Sequence, residues 1–90
     1  MYSLKINKKA LKFLQSRSAS ERKIIKQKLN ILRENPNSHK LLDVKKLKNK
    51  GEYYRLRIGK IRIVYQIINK KLIILVINAG NRGDIYKQSL

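Results

Sequence analysis

The nine residues from Arg55 to Ile63, RLRIGKIRI, alternate basic and apolar side chains on both sides of a glycine. A period of two predicts a pair of β-strands, and Gly59-Lys60 has the length and the leading glycine of a type II′ hairpin turn. This turn fixes the register, and the predicted cross-strand pairs are Ile58 with Ile61, Arg57 with Arg62, Leu56 with Ile63, Arg55 with Val64, and Tyr54 with Tyr65. One face of the hairpin is then apolar, and the other carries three arginines.

The arginine-bearing face has two interpretations. Like charges directly opposite each other destabilise a sheet, so Arg57 opposite Arg62, with Arg55 beside them, costs stability unless an anion binds there. An ordinary solvated face of a basic protein is the alternative. These positions hold arginine although lysine is the commoner base in the chain, and the planar fork of arginine suits phosphate oxygens. We therefore interpret the face as a phosphate or carboxylate site.

The rest of the chain supplies the other elements of a small sheet with helices. The predicted elements are a strand at Tyr2–Ile6, a helix at Lys8–Arg17, a helix that begins with a capping box at Ser18–Glu21 and stops at Asn35-Pro36, and strands at Tyr53–Ile58, Ile61–Ile68 and Leu72–Asn78. The buried stripe predicted for the second helix is Ile24, Ile25, Leu29 and Leu32. Residues 38–50 are predicted to be a basic connection that packs Leu41, Leu42, Val44 and Leu47 onto the sheet. These elements predict an α+β fold in the order β-α-α-β-β-β, with two N-terminal helices packed on an antiparallel sheet, as a single domain over residues 1–90.

Composition limits the partners. The chain carries 23 Lys and Arg against five acids, a formal charge of +18, while 42% of its residues are apolar. Such a chain is a folded basic domain, and its partner is expected to be a polyanion or an acidic protein. No apolar run is long enough for a membrane span or a signal peptide, so we expect a cytoplasmic protein without membrane contact. The lone His39, the scattered acids and the absence of cysteine give no metal-ligand cluster, and we expect no metal and no cofactor.

Two motifs resemble those of a known superfamily. KLKNKGEYYRLRIGKIRIVYQI from Lys46 to Ile67 and VINAGNRGDIYK from Val76 to Lys87, together with the opening strand and helical pair, resemble the RelE/ParE toxin superfamily, and specifically its RelE branch of ribosome-dependent messenger RNA endonucleases. The resemblance implies a toxin of a type II toxin–antitoxin system that inhibits translation by cutting mRNA in the ribosomal A site. It also implies a RelB-like antitoxin as the protein partner.

The resemblance implies site residues as well. Arg62, Arg82 and Tyr86 match the positions that act on RNA in the RelE branch, and Arg55 and Arg57 match its basic positions on the first hairpin strand. In this interpretation Tyr86 takes the proton of a ribose 2′-hydroxyl that attacks the neighbouring phosphate, and Arg62 and Arg82 stabilise the developing charge. Arg55 and Arg57 hold flanking phosphates. The RNA-binding surface extends to lysines, which are Lys40, Lys45, Lys46, Lys48 and Lys50.

Two other functions are consistent with the same residues. A ParE-like protein inhibits DNA gyrase without cutting nucleic acid, and a noncatalytic nucleic-acid-binding module uses its arginines only to hold backbone phosphates. The substitution Tyr86→Phe separates them from the nuclease, because only the nuclease loses cleavage while it keeps binding. Gyrase inhibition is recognised by double-strand DNA breaks.

Overall fold

The fold is a five-stranded sheet with two helices on one face. The computed structural model describes residues 1–36, 41–47 and 53–81. In chain order the elements are β1 (Ser3–Ile6), α1 (Lys8–Gln15), α2 (Ala19–Glu34), β2 (Asp43–Lys46), β3 (Tyr53–Ile58), β4 (Ile61–Ile68), a short 3-10 helix (Asn69–Lys71) and β5 (Ile73–Asn81). The strands lie in the order β1-β5-β4-β3-β2. The predicted α+β class, with helices before the main hairpin, is confirmed.

The sheet differs from the prediction in two details. β2 forms within the stretch for which the sequence predicts a connection, and β1 pairs with β5 in parallel, so the sheet is mixed instead of antiparallel. A hairpin forces antiparallel pairing, but β1 and β5 are separated by both helices and three strands, so no local pattern fixes their relative direction. β2 is short and rich in lysine, which is depleted in strands, and its propensity is correspondingly weak.

The central hairpin has the predicted register. β3 and β4 pair Arg57 with Arg62 and Ile58 with Ile61, and the other predicted pairs are also present. Gly59 has a φ of 57°, whereas Lys60 does not have a positive φ. A positive φ at the first turn residue alone is the signature of a type II′ turn, whose twist matches that of the flanking strands.

The core lies between the helices and one face of the sheet. Helix α1 packs against β5, and α2 packs against β3. The most deeply buried side chains of this core are Leu32, Leu56, Ile63, Tyr65, Ile74 and Val76. The ring of Tyr65 stacks on Tyr54 with centroids 5.6 Å apart. The hydroxyl of Tyr65 donates to the carbonyl of Pro36 at 3.2 Å, which ties the end of α2 to the middle of the sheet.

The capping box at the start of α2 is present as predicted, but the buried stripe of this helix is narrower than predicted. Ser18 Oγ accepts from the Glu21 backbone N–H, and the Glu21 carboxylate accepts from the Ser18 backbone N–H, so both halves of the capping box are present. Ile24, predicted to be buried, is 43% exposed because the buried stripe runs through Ile25, one position further round the helix.

Leu41 is 61% exposed, so its predicted packing onto the sheet is wrong, although Leu42 and Val44 are buried.

Neither α1 nor α2, the two α-helices in the part of the chain that is described, is long and apolar enough to cross a membrane.

Candidate nucleic-acid interface

The three hairpin arginines lie together on the sheet face opposite the helices, which we call the arginine face (Arg55, Arg57 and Arg62). Strand alternation places them there, because the intervening residues Leu56 and Ile63 are fully buried in the core. Two rows of residues cross this face. The first runs Asp43, Arg57, Arg62, Gly80, and the second runs Lys45, Arg55, Val64, Asn78. The face therefore carries four cations and one acid in two adjacent rows.

Asp43 on the edge strand β2 holds two of these arginines. One carboxylate oxygen accepts from Arg55 Nη2 at 2.9 Å, and the other accepts from Arg57 Nε at 2.5 Å. Arg57 and Asp43 are about half exposed, whereas the Arg55 side chain is only 15% exposed. The like-charge pairing of Arg57 with Arg62 is thus partly offset by an acid of the protein itself. Within the described residues, one carboxylate among three arginines still leaves the cluster strongly positive.

Arg62 is the most buried charged residue of the face. It is 5% exposed, and its guanidinium Nη1 donates to the Gly59 carbonyl at 3.5 Å, longer than usual for an N–H···O bond. The Nε of Arg55 is also buried and has no hydrogen-bond partner among the residues that the structure describes. Buried guanidinium donors with weak or missing partners are costly without an anion, and they are well suited to receive phosphate oxygens.

A β-bulge in β5 shapes the side of the face next to Arg62. Val64 pairs with Asn78 and Tyr65 pairs with Val76, so Ile77 is the extra residue. The bulge reverses the alternation of β5 from that point, and it places Gly80 directly beside Arg62. Because glycine has no side chain, no side chain lies directly opposite Arg62 on β5.

The predicted site residues fall into three groups. Arg55, Arg57 and Arg62 are brought together as predicted. Lys46 is exposed, but it lies on the same face of β2 as the buried Val44, and Lys45 is the β2 lysine that stands in a row with Arg55. Lys48, Arg82 and Tyr86 lie outside the described residues, and so do His39, Lys40 and Lys50. The roles assigned to them remain predictions.

Sequence reasoning missed Asp43. It is one of three acids in the described ranges, and the other two, Glu21 and Glu34, lie on α2. The alternation of Leu42, Asp43, Val44 and Lys45 was the available signal, because a third strand added to the predicted hairpin brings Asp43 opposite Arg57.

The described residues offer anion binding rather than acid–base chemistry. Tyr65 is no candidate for a base, because burial, with a smaller effect from nearby Tyr54, raises the pKa of its hydroxyl well above the usual 10. No group of three or more histidine, cysteine or acidic side chains lies together within residues 1–36, 41–47 and 53–81. What the face can do is hold phosphate groups with converging arginines.

The fold and this face define a small basic α+β domain with an arginine-rich sheet face. Residues 4–86 match the family model described as the ParE toxin of type II toxin–antitoxin system, parDE. The chain therefore belongs to this toxin family, and the resemblance to the RelE/ParE superfamily is confirmed.

Individual relatives carry the RelE name. The chain is 34% identical to RelE1 of Methanocaldococcus jannaschii over 86 residues, which cover 96% of each chain. It is 29% identical to the mRNA interferase toxin RelE of Escherichia coli, over 99% of this chain and 94% of that one. Among solved structures, the archaeal RelE-RelB complex from Pyrococcus horikoshii matches with a TM-score of 0.76 and 31% identity, covering 92% of this chain and 97% of that one.

Proposed function

We propose that this chain is a ribosome-dependent endoribonuclease that cleaves mRNA in the A site and so stops translation in the cytoplasm. The observation that carries the proposal is the arginine face, where three arginines lie together on one sheet surface and the most buried one, Arg62, has only a long hydrogen bond within the described residues. The relationship to the E. coli mRNA interferase toxin supports RNA as the substrate. The charge of +18 supports a polyanionic target.

Binding would use the RNA backbone. Arg55 and Arg57 hold phosphates that flank the cut, and Lys45 extends the positive row toward the edge strand. Contacts of this kind position an RNA without reading its bases. The affinity for RNA should therefore fall steeply as salt rises.

The reaction is a transfer within the RNA itself. The 2′-oxygen of a ribose forms a bond to the neighbouring phosphorus, and the bond from phosphorus to the 5′-oxygen breaks, leaving a 2′,3′-cyclic phosphate and a 5′-hydroxyl. Tyr86 acts as the base that takes the 2′-hydroxyl proton, and the departing 5′-oxygen takes a proton from water. Arg62 and Arg82 stabilise the charge on the phosphorane, but they do not donate the proton, because the pKa of arginine exceeds about 12.

The same chemistry accounts for independence from metal and dependence on the ribosome. Arginines supply the positive charge that a metal ion provides in other nucleases, so the reaction needs no metal. A site without a histidine pair is a weak catalyst, and orientation of the messenger by the ribosome can supply much of the rate.

A RelB-like antitoxin is the proposed protein partner. The solved complex from P. horikoshii pairs a chain of this fold with RelB, which supports a similar partner here. A partner for a chain of charge +18 should be acidic, with apolar residues that cover exposed side chains.

The test is 5′-end mapping of a defined messenger on programmed ribosomes, beside the same RNA without ribosomes. We expect cuts at the A-site codon that require the ribosome. Tyr86→Phe should slow cleavage at least about 100-fold, as loss of a general base does, while ribosome binding is retained.

Arg57→Met and Lys70→Met form a matched pair of charge-removing variants. Both residues are exposed, but Lys70 lies in the 3-10 helix at the other end of the sheet. Only Arg57→Met should slow cleavage. Absence of cuts by the wild-type chain on active ribosomes would refute the proposal, and double-strand breaks in a gyrase assay would then identify gyrase inhibition instead.

A further inference from the structure

Asp43 is the acid at the β2 end of the first basic row, and its placement is specific. It pairs with Arg57 in the strand register, and its two oxygens are divided between two different arginines on β3. The side chains of Arg55 and Arg57 are long, and the half-exposed Arg57 would otherwise sample many rotamers. A carboxylate that engages both of them fixes the direction of each.

The hydrogen bonds to Asp43 leave most guanidinium donors free. Arg55 uses only Nη2 and Arg57 uses only Nε for these bonds, whereas each guanidinium carries five N–H donors. Neither terminal nitrogen of Arg57 has another partner among the residues that the structure describes, so both can bind a phosphate. The Asp43 carboxylate binds one edge of each guanidinium, so RNA can bind without displacing it.

We infer that Asp43 is a positioning residue for the RNA backbone, which holds Arg55 and Arg57 in the orientation that receives flanking phosphates. This inference rests on the proposed ribonuclease function. In this role, removal of the Asp43 carboxylate slows cleavage. If the carboxylate instead competed with RNA for the arginines, its removal would speed cleavage. Positioned arginines lower the entropy cost of aligning the RNA for reaction. Loss of Asp43 should therefore lower the cleavage rate more than the affinity for the ribosome.

The first experiment compares single-turnover cleavage on programmed ribosomes by the wild-type chain, Asp43→Asn, Asp43→Glu and Glu34→Gln. Asp43→Asn should lower the rate constant at saturating protein about tenfold, because misplaced groups lose rate at this scale. Its ribosome affinity should not weaken, since the variant is more positively charged. Asp43→Glu keeps the carboxylate and should stay within about threefold of wild type. Glu34→Gln makes the same charge change on α2, which packs on the sheet face opposite the arginines, and should change neither quantity.

The second experiment uses the wild-type chain alone, so it does not depend on whether a variant folds. The Arg57 Nε–H signal in a proton–nitrogen NMR spectrum should be protected from exchange with water by its bond to Asp43. On addition of a six-nucleotide RNA with 2′-methoxy groups, which cannot be cut, this signal should stay protected. Loss of the protected signal on binding overturns the inference, because it shows that RNA displaces the carboxylate.

The outcomes distinguish the inference from the function on which it rests. If the wild-type chain cleaves and Asp43→Asn cleaves equally fast or faster, only the positioning role is refuted. If the wild-type chain does not cleave on active ribosomes, the proposed function fails and the positioning role fails with it.

Discussion

Replacement of Tyr65 by phenylalanine removes one buried hydroxyl and leaves the ring in place. The residue is fully buried, and its hydroxyl donates to the Pro36 carbonyl at 3.2 Å. The stack on Tyr54 should survive, because it involves only the rings. Tyr65→Phe removes this hydrogen bond and leaves the Pro36 carbonyl without its donor. The free energy of unfolding should therefore fall by about 2 kcal/mol at pH 7.

The loss of stability caused by Tyr65→Phe should become smaller at high pH. Burial, with a smaller contribution from Tyr54, raises the pKa of the Tyr65 hydroxyl above its unfolded value of about 10. The unfolded chain therefore loses this proton first, and the stability contributed by Tyr65 is complete below pH 10 and declines above it. The decline is about 1.4 kcal/mol per pH unit, and the phenylalanine variant does not experience it. The two proteins should become equally stable about 1.5 pH units above the unfolded pKa.

Urea denaturation of both proteins at pH 7, 9, 10.5 and 11 measures this effect. Titration of the lysines and the other tyrosines is common to the two proteins, so it cancels in the difference. We expect a constant difference up to pH 9 and a smaller one at each higher pH. A difference that stays at its neutral-pH value up to pH 11 would refute the account of a buried, protonated hydroxyl.

Two further predictions concern the hairpin and its arginines. Gly59→Ala should lower the free energy of unfolding by about 1 kcal/mol, because Gly59 has a φ of 57°, which a residue with a Cβ adopts at a cost. An added Cβ meets nothing within 4 Å, so no steric clash adds to this cost. Lys60→Ala, next to it, should change stability by less than about 0.5 kcal/mol in the same denaturation experiment, and equal effects of the two changes would contradict the assigned turn. Sulfate, compared with chloride at equal ionic strength, should raise the melting temperature of the wild-type chain more than that of Arg57→Met. At ten times its dissociation constant, a bound sulfate contributes about 1.4 kcal/mol, and identical shifts for the two proteins would exclude an anion site at Arg57.

The hairpin is predictable in detail because one local feature fixes it. A two-residue turn with a leading glycine sets the register, and a period of two then assigns every side chain to a face. The amino-acid pattern alone therefore pairs Arg57 with Arg62 correctly. The register also needs no information from distant parts of the chain.

The rest of the site depends on distant contacts. Asp43 belongs to a short edge strand that is held by pairing with β3 and not by its own propensity. The bulge at Ile77 could not be predicted, because residues 73–77 are all apolar and fit either alternation. Beyond the bulge, β5 continues to Asn81, and Gly80 lies next to Arg62. The placement of Arg82 and Tyr86 against the arginine face stays a prediction.

The order of the strands has a consequence for the newly synthesised chain. β1 pairs with β5 across 70 positions of sequence, and β5 separates β1 from β4. Until residues 73–81 have emerged from the ribosome, β1 has no neighbour and one edge of β4 is unpaired, although the arginine hairpin can already form. Such distant pairing is slow, and open apolar edges invite association with other chains. We therefore expect the yield of soluble protein to be limited by this late step in folding more than by the stability of the finished domain.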